Sequence, residues 1–224
     1  MKKRVVMFVV VFLFLAGIPG VSRAAVTEEM VRRAWNEVVK TAEMKPLPLS
    51  IENNTIPNAW VTNGKSVTVT TGLMNLLERE EEIFGVLSHE AGHAKLNHYA
   101  SAVTSSVGIG VAGILLDKVI GGSIVGDLAV NVGSNLASAG FSREKEVEAD
   151  DFAVDLAFKG GKDPTGIYTA LERLAYYGGK LQPSGFNSHP PDDRRLLHVK
   201  NRIHSRDPNI KITETPKPKQ TKEK

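Results

Sequence analysis

Residues Leu87–His98 read LSHEAGHAKLNH and hold three of the six histidines in a chain of 224 residues. The sequence around them, from Gly72 to Val103, has no proline and places its apolar residues three and four apart, which predicts a helix. On a helix His89 and His93 project from one face about 40° apart, close enough to share one ion. Glu90 sits about 100° round from His89, outside that pair but beside any water the ion would carry. This offset is the mechanical basis of the HExxH zinc-hydrolase pattern. The competing reading is a solvated helix face that happens to spell the pattern. Ala91 and Gly92 argue against it, because residues this small let the helix pack closely against a neighbour.

A zinc site of this kind needs a third protein ligand and an open fourth position. A metzincin would place glycine three and histidine six residues after His93, where this chain has Leu96 and Tyr99. His98 therefore reads as a structural or hydrogen-bonding residue. Acidic ligands are available further on, in SREKEVEADD, which supplies Glu144, Glu146 and Glu148. Glu146 and Asp150 are four apart, so a carboxylate ligand and an acid able to orient a ligating imidazole share one helical face. Without the upstream HExxH, the same run would read as a solvated face.

The two ends differ from the body. MKKR followed by the apolar run Val5–Ile18 and then PGVSRA has the order of a secretory leader. The run is shorter than the roughly 20 residues that span a bilayer, so cleavage before Ala25 is expected, with retention as an anchor the alternative. The chain has no cysteine, which excludes disulfides, a thiol nucleophile and a lipid-modified cysteine, and is compatible with export. Its net charge of +3 is carried by the ends: the leader holds four cationic residues and the tail a surplus of three, leaving the body at −4. An acidic body argues against nucleic acid as a partner. The Lys- and Pro-rich tail, 211–224, reads as a disordered extension, which leaves 25–210 as one folded domain.

Elsewhere, TEEMVRRAWNEVVKTAEM opens with a threonine cap and predicts a helix with Met30, Ala34, Val38 and Thr41 on one face. Short β-branched runs follow, the last two joined through Asn63 and Gly64 as a hairpin. The Gly-rich stretch 107–141 carries Asp117, Lys118 and Asp127, which favours a groove-lining helical pair over a membrane span. Further helices are expected from Arg143, capped by Ser142, over 164–177, and over 192–205. The fold class is α+β: a mainly helical domain with a small antiparallel sheet or hairpin beside the HExxH helix.

HEAGH, followed 53 residues after His93 by Glu146 within SREKEVEADD, resembles peptidase family M48, the gluzincins of HtpX, BepA and LoiP type. Ser142, Arg143, Glu146, Ala149 and Asp150 match the family's S-R-x-x-E-x-x-A-D. The segment IPNAWVTNGKSVTVTTGLM and the later SHPPDDRRL extend the likeness over Ile56–Leu196. The resemblance implies one zinc ion per chain on His89, His93 and Glu146, with Glu90 as general base and Asp150 supporting from behind. It also implies a role for His189 and Arg195. In relatives that histidine either steadies the oxyanion or fills the fourth zinc position, and the two roles stay open here. The chain lacks the membrane spans of some relatives and the lipid-bearing cysteine of others, so a soluble exported branch is expected.

The function so implied is peptide hydrolysis on unfolded or misassembled exported proteins, in the periplasm or another extracytoplasmic space. The strand through Asn58, Ala59 and Trp60 is expected to offer an edge to which an extended peptide adds, and outer-membrane assembly machinery is a candidate partner. The alternative is a zinc-bound chaperone or assembly factor with little proteolysis.

Overall fold

A computed structural model of the protein describes residues 25–62, 64–98, 141–178, 189 and 192–214. Residues 1–24, 63, 99–140, 179–188, 190–191 and 215–224 lie outside the described residues, and with them the expected leader, the expected helical pair over 107–141 and the expected disordered tail.

Helix α1 (Glu28–Ala42) starts where Thr27 Oγ1 accepts the Met30 amide at 3.2 Å. Its buried face is Val31, Ala34, Trp35, Val38 and Ala42, rotated from the face expected on Met30 and Thr41, which are only half-buried. Trp35 sets the rotation: its ring goes inward and its indole N–H donates to Leu47 O at 3.0 Å. Three strands follow, β1 (Leu49–Glu52), β2 (Ala59–Thr62) and β3 (Ser66–Thr70), in the order β1-β3-β2. β2 and β3 form the expected antiparallel hairpin, turning at Gly64 with φ +66°. β1 pairs with β3 in parallel, so the sheet is mixed. The chain runs out along β1, returns along β2, and inserts β3 between them.

The expected single helix from Gly72 is two helices, α2 (Thr71–Leu76) and α3 (Glu80–Lys95). The break is built by α3 itself: the Glu82 carboxylate reaches back to accept the amides of Glu78 at 2.7 Å and Arg79 at 3.2 Å. These are donors that a helix start leaves without partners. Arg173, from a later helix, closes the arrangement on Glu82 at 2.9 Å and Glu78 at 2.7 Å.

The remaining helices are α4 (Arg143–Lys159), α5 (Thr165–Arg173), extended by a π-helical turn at Leu174–Gly178, and α6 (Asp193–Arg206). Ser142 stands at the N-cap of α4 as expected, although its side chain makes no capping bond. Asp192 caps α6 by accepting the Arg195 amide at 2.8 Å.

Every residue of α3 from Glu82 to His93 is buried. α1, β2, α4 and α5 surround it. Ile83, Phe84 and Leu87 join α1 and the sheet in one apolar cluster, and α4, α5 and α6 share a second. Each such fully buried side chain contributes roughly 1.5–3 kcal/mol. Two close approaches fix the helix in place. A Cβ on Gly85 would stand 2.5 Å from Ile167 N at the start of α5, and one on Gly92 would stand 3.2 Å from Ala149 Cα on α4. No helix among the described residues is long and apolar enough to cross a membrane.

Candidate metal centre

A helix buried on all sides has no water to satisfy its polar side chains, yet α3 buries Ser88, His89, Glu90 and His93. What they meet defines the site. The Gly92–Ala149 contact brings α4 against α3, one helical turn from Glu146 and directly beside Asp150. His89 Nε2 and His93 Nε2 come within 3.0 Å of each other. Glu146 lies 3.5 Å from each of them, through Oε2 to His89 and Oε1 to His93. His189 Nδ1 completes the group at 3.3 Å from His89 Nε2 and 2.9 Å from Glu146 Oε1.

These four donor atoms all lie within 4.8 Å of one another, and none of the four residues is more than 4% exposed. Zinc bonds of roughly 2.0–2.1 Å in a tetrahedron separate the donors by about 3.3 Å, close to the spacing found here. The donor chemistry fits as well: two or three imidazoles with one carboxylate is a zinc set, not a calcium or magnesium set. The residues present therefore fit a zinc ion.

The supporting residues are as specific as the donors. His89 Nδ1 is 2.9 Å from Asp150 Oδ1, which leaves Nε2 facing the other donors. Arg195 forks onto Asp150, with Nη2 to Oδ1 at 2.7 Å and Nε to Oδ2 at 2.9 Å. Its Nη1 also lies 2.8 Å from Glu146 Oε2 and donates to His189 O at 3.1 Å. One guanidinium thus ties three site residues together, which the sequence motif alone did not reveal. His93 is held differently: His98 Nδ1 is 3.0 Å from its Nδ1, and Phe141 stacks on its ring at 4.1 Å between centroids. His98, in turn, places Nε2 at 2.9 Å from Glu148 Oε2. Sequence reading gave Phe141 no role and offered Glu148 only as one of three acidic candidates, passed over for Glu146. The available signal was position, since Glu148 lies two residues before Asp150 on a helix already read as site-bearing.

Electrostatics follow from burial and pairing. Burial pulls His89 down, but hydrogen bonds to Asp150 and Glu146 outweigh it and raise the group to about 9. His93 has no carboxylate so close, and burial together with its histidine neighbours holds it low. Glu146 and Asp150 resist the upward push of burial because His189 and His89 hold the first down, and Arg195 and His89 the second. Glu90 moves the other way: burial raises it, against the pull of His189, His89 and the Val61 backbone. Its Oε2 is buried with no hydrogen-bond partner among the described residues, and His189 Nε2 stands 3.6 Å from its Oε1. A cavity of about 10 Å³ lies beside these groups, walled by Val86, Ile167, Leu171 and Leu174.

Of the predicted site residues, His89, Glu90, His93, Glu146, Asp150, His189 and Arg195 come together. Residues 25–203 match the family described as Peptidase family M48. The chain belongs to peptidase family M48. Among M48-related proteins, Metalloprotease YcaL of Escherichia coli K12 is 37% identical over 154 residues, covering 66% of this chain and 59% of its own length. Metalloprotease LoiP of the same strain is 32% identical over 150 residues, covering 65% and 58%. The Beta-barrel assembly-enhancing protease of that strain is 25% identical over 179 residues, covering 74% of this chain and 36% of its own. The chain thus spans less than 60% of the length of YcaL and LoiP.

Ala59 and Trp60 open β2, and Asn58 directly precedes it. β2 is an edge of the sheet, and it packs against α3. Ala59 is fully buried and Trp60 half-buried. The Asn58 backbone is already engaged, donating to Thr70 Oγ1 and accepting the Thr70 amide, both at 2.9 Å.

Proposed function

We propose that this M48 protein is a zinc-dependent endopeptidase of the cell envelope that cleaves extended or unfolded polypeptides. The observation that carries the reading is the convergence of four buried donors from three separate parts of the chain, with a buried, unpartnered carboxylate oxygen on Glu90 beside them. His89, His93 and Glu146 would hold the metal, which when bound would supply Lewis-acid polarisation of the scissile carbonyl and acidify a water. Glu90 takes the proton of the attacking water. Burial raises its affinity for that proton, which suits a base that must then deliver it to the leaving amine. Asp150 and Arg195 keep His89 and Glu146 in register throughout.

His189 is the fourth protein donor in the resting state. Its Nδ1 faces the same point as the three ligands, and the adjoining cavity has room for about one water. With His189 in that position the metal would have no open place, so a scissile carbonyl would reach it only if His189 withdrew. The edge of β2 is the surface to which an extended substrate adds as a further strand. The secretory leader supports an extracytoplasmic location, and the name of the Beta-barrel assembly-enhancing protease suggests outer-membrane assembly as the setting. The buried, four-donor site also favours a second reading, a zinc-stabilised assembly factor of low turnover.

The deciding experiment is zinc analysis of the purified full chain together with a casein digest in the presence and absence of a chelator. One zinc per chain and chelator-sensitive cleavage are expected. A chain without zinc, or cleavage indifferent to the chelator, overturns the reading. His189→Ala is expected to increase turnover while keeping zinc, and a decrease would reassign His189 to oxyanion stabilisation.

A further inference from the structure

The two histidines of the HExxH pair are oriented by different devices. His89 is held by Asp150, which is wholly buried and forked by Arg195. His93 has no carboxylate in that position. Its Nδ1 meets His98 Nδ1 at 3.0 Å, and His98 Nε2 meets Glu148 Oε2 at 2.9 Å. The rings of His93 and His98 are 4.9 Å apart at an interplanar angle of 79°. His98 has no exposed surface, whereas the Glu148 side chain is 47% exposed and also pairs with Lys145 at 3.0 Å.

We propose that His98 and Glu148 are positioning residues for the metal, forming a relay Glu148–His98–His93 that fixes the tautomer and ring orientation of His93. The proposal rests on the reading of His93 as a zinc ligand. Hydrogen-bond direction then leaves one arrangement. His93 presents the bare Nε2 to the other donors, so its Nδ1 carries the proton and donates to His98 Nδ1. His98 Nδ1 is therefore the acceptor nitrogen, and its proton is on Nε2, donated to the Glu148 carboxylate. Each ring nitrogen in the chain has one role, and a second proton anywhere breaks it. Phe141, stacked on the face of His93, restrains ring tilt but cannot choose the tautomer. Because the relay ends at a half-exposed carboxylate already shared with Lys145, it grips less rigidly than Asp150 and Arg195 do.

The experiment compares His98→Phe, which keeps a ring of similar volume but no hydrogen bonds, with His98→Gln, which keeps one acceptor and one donor. The readouts are the zinc dissociation constant by competition with a chromophoric chelator and the visible spectrum of the cobalt-substituted full chain. Expected is a 10- to 100-fold weaker zinc affinity and an altered cobalt spectrum for His98→Phe, with most of both restored in His98→Gln, as is usual for loss of a partner behind a metal ligand. His98→Phe that holds zinc as tightly as the unaltered chain, with the same cobalt spectrum, overturns the relay. If both variants lose zinc equally, His98 is a packing residue and the relay is again overturned. If the unaltered chain itself binds no zinc, the ligand reading falls first, and the relay with it.

Discussion

The two ends of α3 bury the same chemistry for opposite purposes. At the N-terminal end, Arg173 joins Glu82 and Glu78, and Glu82 also accepts two backbone amides, so both its oxygens are used. Toward the C-terminal end, Arg195 joins Asp150 and Glu146, but the imidazoles and Glu146 aim their remaining lone pairs at one point, and Glu90 leaves an oxygen without a partner. The first cluster closes on itself and defines where the helix begins. The second leaves directed capacity over, and only such a surplus can hold an ion or move a proton. A buried arginine–carboxylate pair is thus uninformative until its unused atoms are counted.

The comparison is broken most directly by making one substitution at both ends. Glu90→Gln is expected to lower kcat/KM by roughly 10² to 10⁴, the usual worth of a general base, with zinc content and melting temperature unchanged. Glu82→Gln, eight residues earlier on the same helix, is expected to destabilise by up to about 3–5 kcal/mol, because it leaves Arg173 short of a buried partner. The molecules that remain folded should keep normal kcat/KM. Peptide cleavage and chemical denaturation on both variants check the pair. Should Glu90→Gln unfold the protein as readily as Glu82→Gln, the distinction between the two clusters is lost.

A second pair separates the helix contacts behind each cluster. A methyl at Gly85 meets the α5 backbone at 2.5 Å, whereas one at Gly92 meets Ala149 and Phe152 at 3.2 Å. At 2.5 Å the α5 backbone itself must shift, so Gly85→Ala is expected to cost about 1–3 kcal/mol or more. At Gly92 the gain in helix propensity, about 1 kcal/mol, offsets much of the strain. The consequence there is geometric: a few tenths of an ångström between α3 and α4 carries Glu146 away from His89 and His93. Gly92→Ala is expected to melt within a few degrees of the unaltered chain and bind zinc about tenfold more weakly, a loss of the size seen when support behind a ligand is disturbed. Titration with a competing chelator checks it, and unchanged affinity would show that the gap between the helices does not set the site.

How much of this was legible in the sequence follows from the range of the forces involved. The spacing of His89 and His93, and of Glu146 and Asp150, is dictated by the helical repeat, and both pairs lie on one face as expected. The hairpin at Gly64 and the cap at Thr27 are likewise local. What escaped depends on partners far away in the chain. The bonds from Glu82 that open α3 are local, but the partner that holds Glu82 in place, Arg173, lies 91 residues further on. The inward face of α1 turns on the Trp35 bond to Leu47. The parallel β1 depends on where β3 inserts. Arg195 could be matched to a motif but not to its three partners, because nothing local says that a guanidinium on α6 reaches α4 and the loop at His189.

The mildest test lies at the edge of the first cluster, where Arg79 pairs with Asp163 at 3.2 Å and Asp163 also accepts the Thr165 amide at 2.9 Å. Burial pushes the Asp163 carboxyl up, but the bonds from Thr165 and Arg79 prevail and hold it below its ordinary value of 3.8. A depressed carboxyl contributes stability that is full above 3.8 and is lost as pH falls through the lower folded value. The pair is 38–40% exposed, so solvent screening limits it to about 1 kcal/mol or less. Asp163→Asn is therefore expected to lower the denaturation midpoint slightly at pH 6 and to converge with the unaltered chain once pH has fallen through the lowered folded value, with zinc affinity untouched. A difference that grows on acidification has the wrong sign and would remove Asp163 from the cluster. A change in zinc affinity would mean that the two ends of α3 are coupled through the helix and do not divide structure from chemistry.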